Sequence, residues 1–394
     1  HYFPYIEEDA NAASGLLEAL SSQSCVVVTD DYPAFFIPKM LERAAQLVPV
    51  RFEAVDSNGL YPLADTDRVF TTAHSFRRHL QKRLPSFLND FPESEPLEQR
   101  SLPTNKIELD EVTQRWASAE QRLEQDDMLS DLAIDHDIAP VAQQGGSQAG
   151  RKRAEAFIDR VLSNYGEDRN NPERDGTSGL SPYLHFGHVS THEIFAQLLQ
   201  KESWSPSRLP EKASGSREGW WGMSSATEAF LDELVTWREV GFNMAAHHED
   251  YTQYESLPAW ALTTLAVHEK DQREYIYTAE QFEEAETHDQ LWNAAQTQLR
   301  REGRIHNYLR MLWGKKILHW SESPRQALQI LEHLNNKYAL DGRDPNSYSG
   351  IFWVLGRYDR AWGPERPIFG KVRYMSSQNT ARKIPVAEYI GRFS

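Results

Sequence analysis

The residues best equipped for chemistry crowd into one stretch, Thr287–Asn346, where Trp, His, Asn, Arg and Asp are concentrated as in no other segment. At about 100° per residue, a helix over 304–320 puts Ile305, Tyr308, Leu309, Leu312, Trp313 and Trp320 in one sector. His306, Asn307, Arg310, Met311 and Gly314 occupy the adjoining sector. The first is a core face, and the second, with its polar groups, thioether and glycine, suits a pocket wall. Lys316 falls in the apolar sector, where periodicity gives it no role. Trp313 and Trp320 stand two turns apart, roughly 10.5 Å along the axis. That spacing serves electron hopping between indoles and serves two core tryptophans equally well. Arg310 and Asp341 are candidates for a guanidinium–carboxylate pair that fixes charge beside a ring.

Two further stretches carry reactive groups. Gly176–Gly187 reads GTSGLSPYLHFG, in which small residues leave backbone amides accessible, Thr177, Ser178 and Ser181 add hydroxyls, and Ser181-Pro182 has the form of a helix start. Such a turn can hold an anion, or it can be an ordinary loop and cap. In FLDELVTWRE, Glu233 and Trp237 are four residues apart and share a helix face. An acid beside an indole can grip a polar aromatic ligand, and a solvated Glu above a core Trp fits the same pattern. His247 and His248 lack a carboxylate partner at metal-ligand spacing, so no metal site is expected.

The elements that must position these groups divide into two kinds. Ser24–Asp30 and Arg51–Asp56 read as short strands, and Pro38–Val48 has helical spacing with Pro in its first turn, which together make one β-α-β unit. Two strands are few for a parallel sheet, and the expectation is a partial α/β domain over 1–91 whose first strands lie outside this chain. Residues 71–91 look helical and basic. A Pro-rich polar linker over Phe91–Pro103, a charged stretch over 106–139 and a flexible joint at Gln143–Gly150 place an interdomain linker at 92–150. From 151 to 394 the pattern is helical, with apolar recurrence over 154–165, 189–201, 226–246, 279–300, 304–320 and 324–338; Ser203–Gly219 reads as an exposed loop.

Composition removes several classes of function. With a single cysteine, Cys25, the chain builds no disulfide framework, no four-cysteine iron–sulfur cluster and no cysteine zinc site. Any redox chemistry then falls to an organic cofactor or to aromatic side chains, of which there are 11 Trp, 16 Tyr and 17 Phe. No apolar run of membrane-spanning length occurs, and a soluble protein inside the cell is expected. The net charge of −16 hides an asymmetry: residues 300–394 hold 17 Lys and Arg against 8 Asp and Glu. A basic portion on an acidic chain is the footprint of a phosphate-binding face.

Several of these stretches, taken together and in order, resemble the photolyase/cryptochrome flavoproteins, most closely the class II cyclobutane pyrimidine dimer photolyases. They are NYGEDRNNPERDGTSGLSPYLHFGHVS (164–190), FLDELVTWRE (230–239), THDQLWNAAQ (287–296), GRIHNYLRMLWGKKILHW (303–320), LNNKYALDGRDPNSYSGIFW (334–353) and RAWGPERPIFGKVRYM (360–375). The match runs from about 143 to the end, and the N-terminal part matches loosely.

The resemblance implies a partial Rossmann-like α/β part followed by a large all-α domain that holds FAD, active as FADH⁻. Thr177, Ser178, Gly179, Leu180 and Ser181 would cradle the FAD phosphates with Tyr165 nearby, Asn335 would face the flavin N5, and Arg310 with Asp341 would flank the ring. Trp313, Trp292 and Trp320 match the electron-transfer tryptophans. Glu233, Trp237, Met311 and Trp353 match substrate-pocket positions; Asn307 resembles a substrate-contacting Asn of other photolyase classes. The implied activity is light-driven splitting of pyrimidine dimers in UV-damaged DNA by electron transfer to a flipped-out lesion. A monomer located with the cell's DNA, in cytoplasm or nucleus, is expected. No antenna chromophore is expected from this chain. The segment VGFNMAAHH after Glu239 departs from the class II pattern, and a changed pocket or DNA contact is expected there. The alternatives are a cryptochrome-like photoreceptor that binds FAD without repair, and a helical interaction protein without cofactor.

Overall fold

A computed structural model of the chain describes residues 2–89, 91–98, 110–125 and 127–394. The expected linker at 99–103 and the start of the charged stretch, 106–109, lie outside the described residues. In chain order the elements are α1 (Leu16–Ser21), β1 (Val26–Asp30), α2 (Ile37–Leu47), β2 (Arg51–Val55), α3 (Ala73–Arg83) and α4 (Asp110–Arg115). Helices follow: α5 (Ser147–Ala156), α6 (Tyr165–Asp168), α7 (Ser181–His185), α8 (Thr191–Lys201), α9 (Ser225–Leu231), α10 (Arg238–His247), α11 (Ala259–Val267) and α12 (Ala279–Glu283). The last are α13 (Gln290–Glu302), α14 (Asn307–Trp320), α15 (Pro324–Tyr338), α16 (Pro345–Val354), α17 (Ser377–Lys383) and α18 (Ala387–Phe393). The fold is thus a small α/β part joined to a large helical one.

The chain forms two compact units, one of residues 1–57 and 92–140, the other of 58–91 and 141–394. In the first, β1 and β2 pair in parallel, in register from Val26 opposite Arg51 to Asp30 opposite Val55, with α2 as the crossover. β-branched Val26, Val27 and Val28 favour the strand, yet Val26 and Val28 stay exposed, as do Phe36, Met40 and Leu47 around α2. Trp116 is buried just after α4 and its Nε1–H donates to Ala12 O at 3.0 Å, which fastens the segment after 109 to the chain's beginning. That contact is why 92–140 divides from the rest differently from the expected 92–150 linker.

In the second unit the pattern-based helices reappear with instructive changes. The 324–338 helix stands as read, with Ser323 as N-cap accepting from Gln326 N–H at 3.1 Å. The helix expected over 279–300 is two helices, because Ala285 adopts φ 61 and Asp289 caps a fresh start at α13. The helix expected over 304–320 starts at Asn307. The expected loop 203–219 contains a short 3₁₀ turn at Pro206–Arg208 and is pinned to α3, where Gly215 N–H donates to Gln81 Oε1 at 2.7 Å.

Residues 58–91, expected with the strands, belong to the helical unit for a physical reason. The buried Glu239 carboxylate accepts Leu60 N–H (2.8 Å) and Tyr61 N–H (3.2 Å). Asn243 accepts from Phe70 N–H (3.1 Å) and donates to Arg68 O (3.0 Å). In the unusual segment after Glu239, residues 240–245 are buried scaffold, and His247 Nε2 lies 3.2 Å from Leu63 O.

Arg77 on α3 and Asp232 form a two-pronged pair at 2.7 and 3.0 Å with both side chains buried. Truncating one partner strands a buried charge, so Asp232→Ala is expected to cost about 3 to 5 kcal/mol in denaturant unfolding. A loss under about 1 kcal/mol would mean the pair is solvated.

Candidate active site

The helix Ser225–His247 is the first wall. Its middle, Asp232–Trp237, is a π-helical segment between α9 and α10, a register slip that frequently marks functional sites because it re-aims side chains. Glu233 and Trp237 both sit in it. Glu233 is half-buried and pairs with Arg169 at 2.5 Å, while Asp232 turns the other way to Arg77. Burial raises the Glu233 pKa above the usual carboxylate range; Arg169 pulls it back and Asp232 pushes it further up. Arg169 stands 5.5 Å over the Tyr165 ring, and burial lifts the Tyr165 phenol to about 12.

Trp353 on α16 stacks on Trp237, with centroids 4.6 Å apart and planes 12° from parallel. Such a pair contributes on the order of 1 kcal/mol beyond its buried area, and here it makes a flat apolar surface one turn from Glu233. Trp353 Nε1–H is buried with no hydrogen-bond partner among the described residues. Arg310 approaches the same helix, since a Cβ on Gly350, one turn before Trp353, would meet its Cδ at 4.0 Å.

The residues that the resemblance assigns to the flavin are joined in a second cluster. Arg310 and Asp341 approach to 3.5 Å, too far for a good hydrogen bond, and the Ser181 hydroxyl donates to the same carboxylate. Asn335 is buried, and its Nδ2 donates to Ser347 Oγ at 2.8 Å and Asn336 Oδ1 at 3.2 Å. In the turn before α7, Gly179 takes φ +64, and Arg153 donates to Ser178 O (2.6 Å) and Thr177 O (2.8 Å) while gripping Asp175. With those carbonyls held, the amides of Thr177, Ser178, Gly179 and Ser181 donate to no acceptor among the described residues. Since α7 spans five residues, its dipole is weak, and the amides and hydroxyls carry the anion-binding capacity. Spare amides beside a loosely engaged guanidinium fit a diphosphate-bearing ring cofactor.

The tryptophans form a continuous string. Trp313 Nε1–H donates to Gln296 Oε1 at 2.9 Å, and Trp292 Nε1–H donates to Trp313 O at 3.0 Å. Trp292 and Trp320 meet edge to face at 6.1 Å. All three are buried, and Trp292 fills the gap that helix spacing leaves between the other two. Met311 is half-buried beside Arg310, whereas Asn307 is exposed and makes no side-chain hydrogen bond among the described residues.

Sequence reading missed Arg169, Arg153 and Gln296. Arg169 had a signal, because it follows Tyr165 by four residues; Gln296 and Arg153 had none, since their partners are distant in sequence. It also left Lys316 unexplained: the ammonium pairs with Asp289 at 3.3 Å and lies 4.7 Å over the Trp320 ring. Its neighbour Lys315 is fully buried, donates to Val354 O at the end of α16, and is pushed by burial to about 7. A separate cavity of about 280 Å³ is lined by Tyr308, Trp362, Arg366, Arg373, Tyr374 and Lys383, among others, with no acidic residue.

Comparison with known proteins gives these clusters a family. A deoxyribodipyrimidine photo-lyase of Methanothermobacter thermautotrophicus is 32% identical over 385 residues, 98% of this chain and 78% of that protein. The chain belongs to the deoxyribodipyrimidine photolyase family. Photolyases from Potorous tridactylus and Arabidopsis thaliana are each 34% identical, over 93% and 85% of the chain. The chain spans 64% and 63% of those two photolyases. No protein-family model matches. Among solved structures, a class III photolyase from Agrobacterium tumefaciens aligns over 98% of this chain and 71% of its own, at TM-score 0.65 and 16% identity. A Synechocystis cryptochrome aligns over 97% of this chain and 71% of its own, at 0.67 and 16%. Both likenesses concern the fold.

Because Arg169 lowers the Glu233 pKa against the burial that raises it, Arg169→Gln is expected to move the Glu233 titration upward, followed by carboxyl-labelled NMR. An unchanged or downward shift would mean the two groups do not face each other in solution.

Proposed function

We propose that this chain is a light-driven DNA repair lyase of the class II type, which splits cyclobutane pyrimidine dimers with FAD as cofactor. The observation that carries the reading is the meeting of the Glu233–Arg169 pair with the parallel Trp237/Trp353 surface. An apolar shelf beside a hydrogen-bonding carboxyl–guanidinium pair suits a crosslinked pair of pyrimidines, which has flat carbonyl-bearing rings and needs an electron accommodated on it.

Bound FAD would supply the photo-excited electron donor, in its reduced form. The chain's own tasks are binding and electrostatics. The amides of Thr177, Ser178, Gly179 and Ser181 would hold the diphosphate, Arg310 and Asp341 would fix charge beside the ring, and Asn335, anchored through Nδ2, would offer its Oδ1 to it. Glu233 is held through one oxygen by Arg169, and burial raises its pKa. The fixed Glu233–Arg169 pair would hydrogen-bond the dimer and stabilise negative charge as it arrives, which is preorganisation rather than proton transfer. Trp237, Trp353 and Met311 exclude water around the dimer. The lesion must leave the duplex to reach them, and poor stacking of a crosslinked dimer lowers the cost.

The basic, aromatic cavity of Arg366, Arg373, Lys383 and Trp362 supports contact with DNA phosphates around the lesion. Affinity should accordingly fall steeply with salt. The α/β unit is, in this reading, part of the family's N-terminal domain, and the protein works as a monomer alongside the cell's DNA in nucleoid or nucleus. Trp313, Trp292 and Trp320 would form the route by which electrons reach the flavin.

The test is direct. Protein reconstituted with FAD, chemically reduced and illuminated with a dimer-containing oligonucleotide should restore pyrimidine absorbance; no light-dependent restoration despite bound flavin would favour a photoreceptor. For the electron route, Trp313→Phe is expected to slow flavin photoreduction by more than about tenfold, read as loss of oxidised-flavin absorbance under blue light. Wild-type rates in the variant would remove Trp313 from the route.

A further inference from the structure

The outer end of the tryptophan string carries an unusual charge arrangement. Lys316 is buried, and its ammonium sits 4.7 Å over the Trp320 ring, where a cation opposes any positive charge on the indole. The Asp289 carboxylate lies 3.3 Å from the same ammonium, and both side chains are about nine-tenths buried. Asp289 is also the N-cap of α13: it accepts Trp292 N–H at 3.1 Å, and the Ser377 hydroxyl donates to its other oxygen. One carboxylate therefore touches the helix bearing Trp292 and the cation lying on Trp320. Around Trp320, burial, reinforced by Lys316, lowers the His319 pKa to about 4, Tyr277 packs edge-on at 5.6 Å, and the His288 ring, hydrogen-bonded to the Tyr277 hydroxyl, meets the indole edge-on at 5.0 Å.

We propose that Asp289 and Lys316 are tuning residues that set how readily Trp320 holds an electron hole, Asp289 favouring oxidised Trp320 and Lys316 opposing it. The inference rests on Trp320 being the outer station of the electron route. In the step concerned, one electron leaves the Trp320 indole and fills the hole on Trp292. Trp320 becomes a radical cation, Trp292 returns to the neutral indole, and no bond forms or breaks. Both tryptophans are buried in edge-to-face contact, so intrinsic reactivity scarcely separates them, and the asymmetry of fixed charge decides the direction. With Asp289 ionised, the ammonium's opposition is offset and the hole moves outward. Without it, the hole stays on Trp292.

Substitutions that change charge while preserving shape test this. Asp289→Asn keeps a good N-cap and the same hydrogen-bonding outline, and Lys316→Met keeps the apolar stem. In FAD-loaded protein, transient absorption of the indole radical on the microsecond scale should show the long-lived fraction falling about tenfold in Asp289→Asn. It should rise in Lys316→Met and return toward wild type in the double variant. A second readout needs no flavin: after one-electron oxidation by azide radicals in pulse radiolysis, peptide mass spectrometry should find oxidation shifted from Trp320 toward Trp292 in Asp289→Asn. Changes of the same sign in both variants, as general loosening would give, overturn the proposal, as does no change in either. Trp320→Phe separates the two levels. If it leaves the radical lifetime unaltered, the route itself ends elsewhere; if it shortens the lifetime while the charge variants do nothing, only the tuning role falls.

Discussion

Buried charge on a single helix governs the architecture of the large unit. Between Ser225 and His247 the chain buries Asp232, Arg238, Glu239 and Asn243, and none of these can leave water without partners. Asp232 takes Arg77, Glu239 takes the amides of Leu60 and Tyr61, and Asn243 takes Arg68 and Phe70. Each requirement draws in part of 58–91. The helix is thereby held on its outer side by polar bonds and on its inner side by α16, and the pocket face between is left with limited freedom.

The same helix slips register where the site lies. The π-helical segment carries both Glu233 and Trp237, and because neighbouring residues on a helix point about 100° apart, Asp232 serves the scaffold while Glu233 serves the pocket. Two adjacent carboxylates with different partners acquire different character. Asp232 is locked in an ion pair, and Glu233 is left half-buried, coupled to one arginine and raised in pKa.

Helix α14 solves the matching problem on the other side. Its apolar sector buries Leu309, Leu312 and Trp313, while Arg310 and Met311 stay half-buried. Gly314 is needed because Val354 of α16 packs where a Cβ would stand, and that close approach of α14 and α16 brings Arg310 beside Gly350. The two buried lysines of this helix are each accommodated differently: Lys316 by Asp289, Lys315 by a carbonyl and by a pKa that burial lowers to about 7.

The sequence by itself determined the helices that are amphipathic over several turns, the two strands, and the ordered motifs that resemble the photolyases, because periodicity and motif order are local properties. It also determined that Trp313 and Trp320 share a face. Tertiary structure alone decided that Trp292, 21 residues before Trp313, bridges them, that Trp353 lies flat on Trp237, and that Arg169 reaches Glu233. It alone broke 279–300 at Asp289 and moved 58–91 into the helical unit. The reason is common to all of these: side chains far apart in sequence meet only when packing brings their backbones together, and a buried polar group selects its partner by position in space rather than by spacing along the chain.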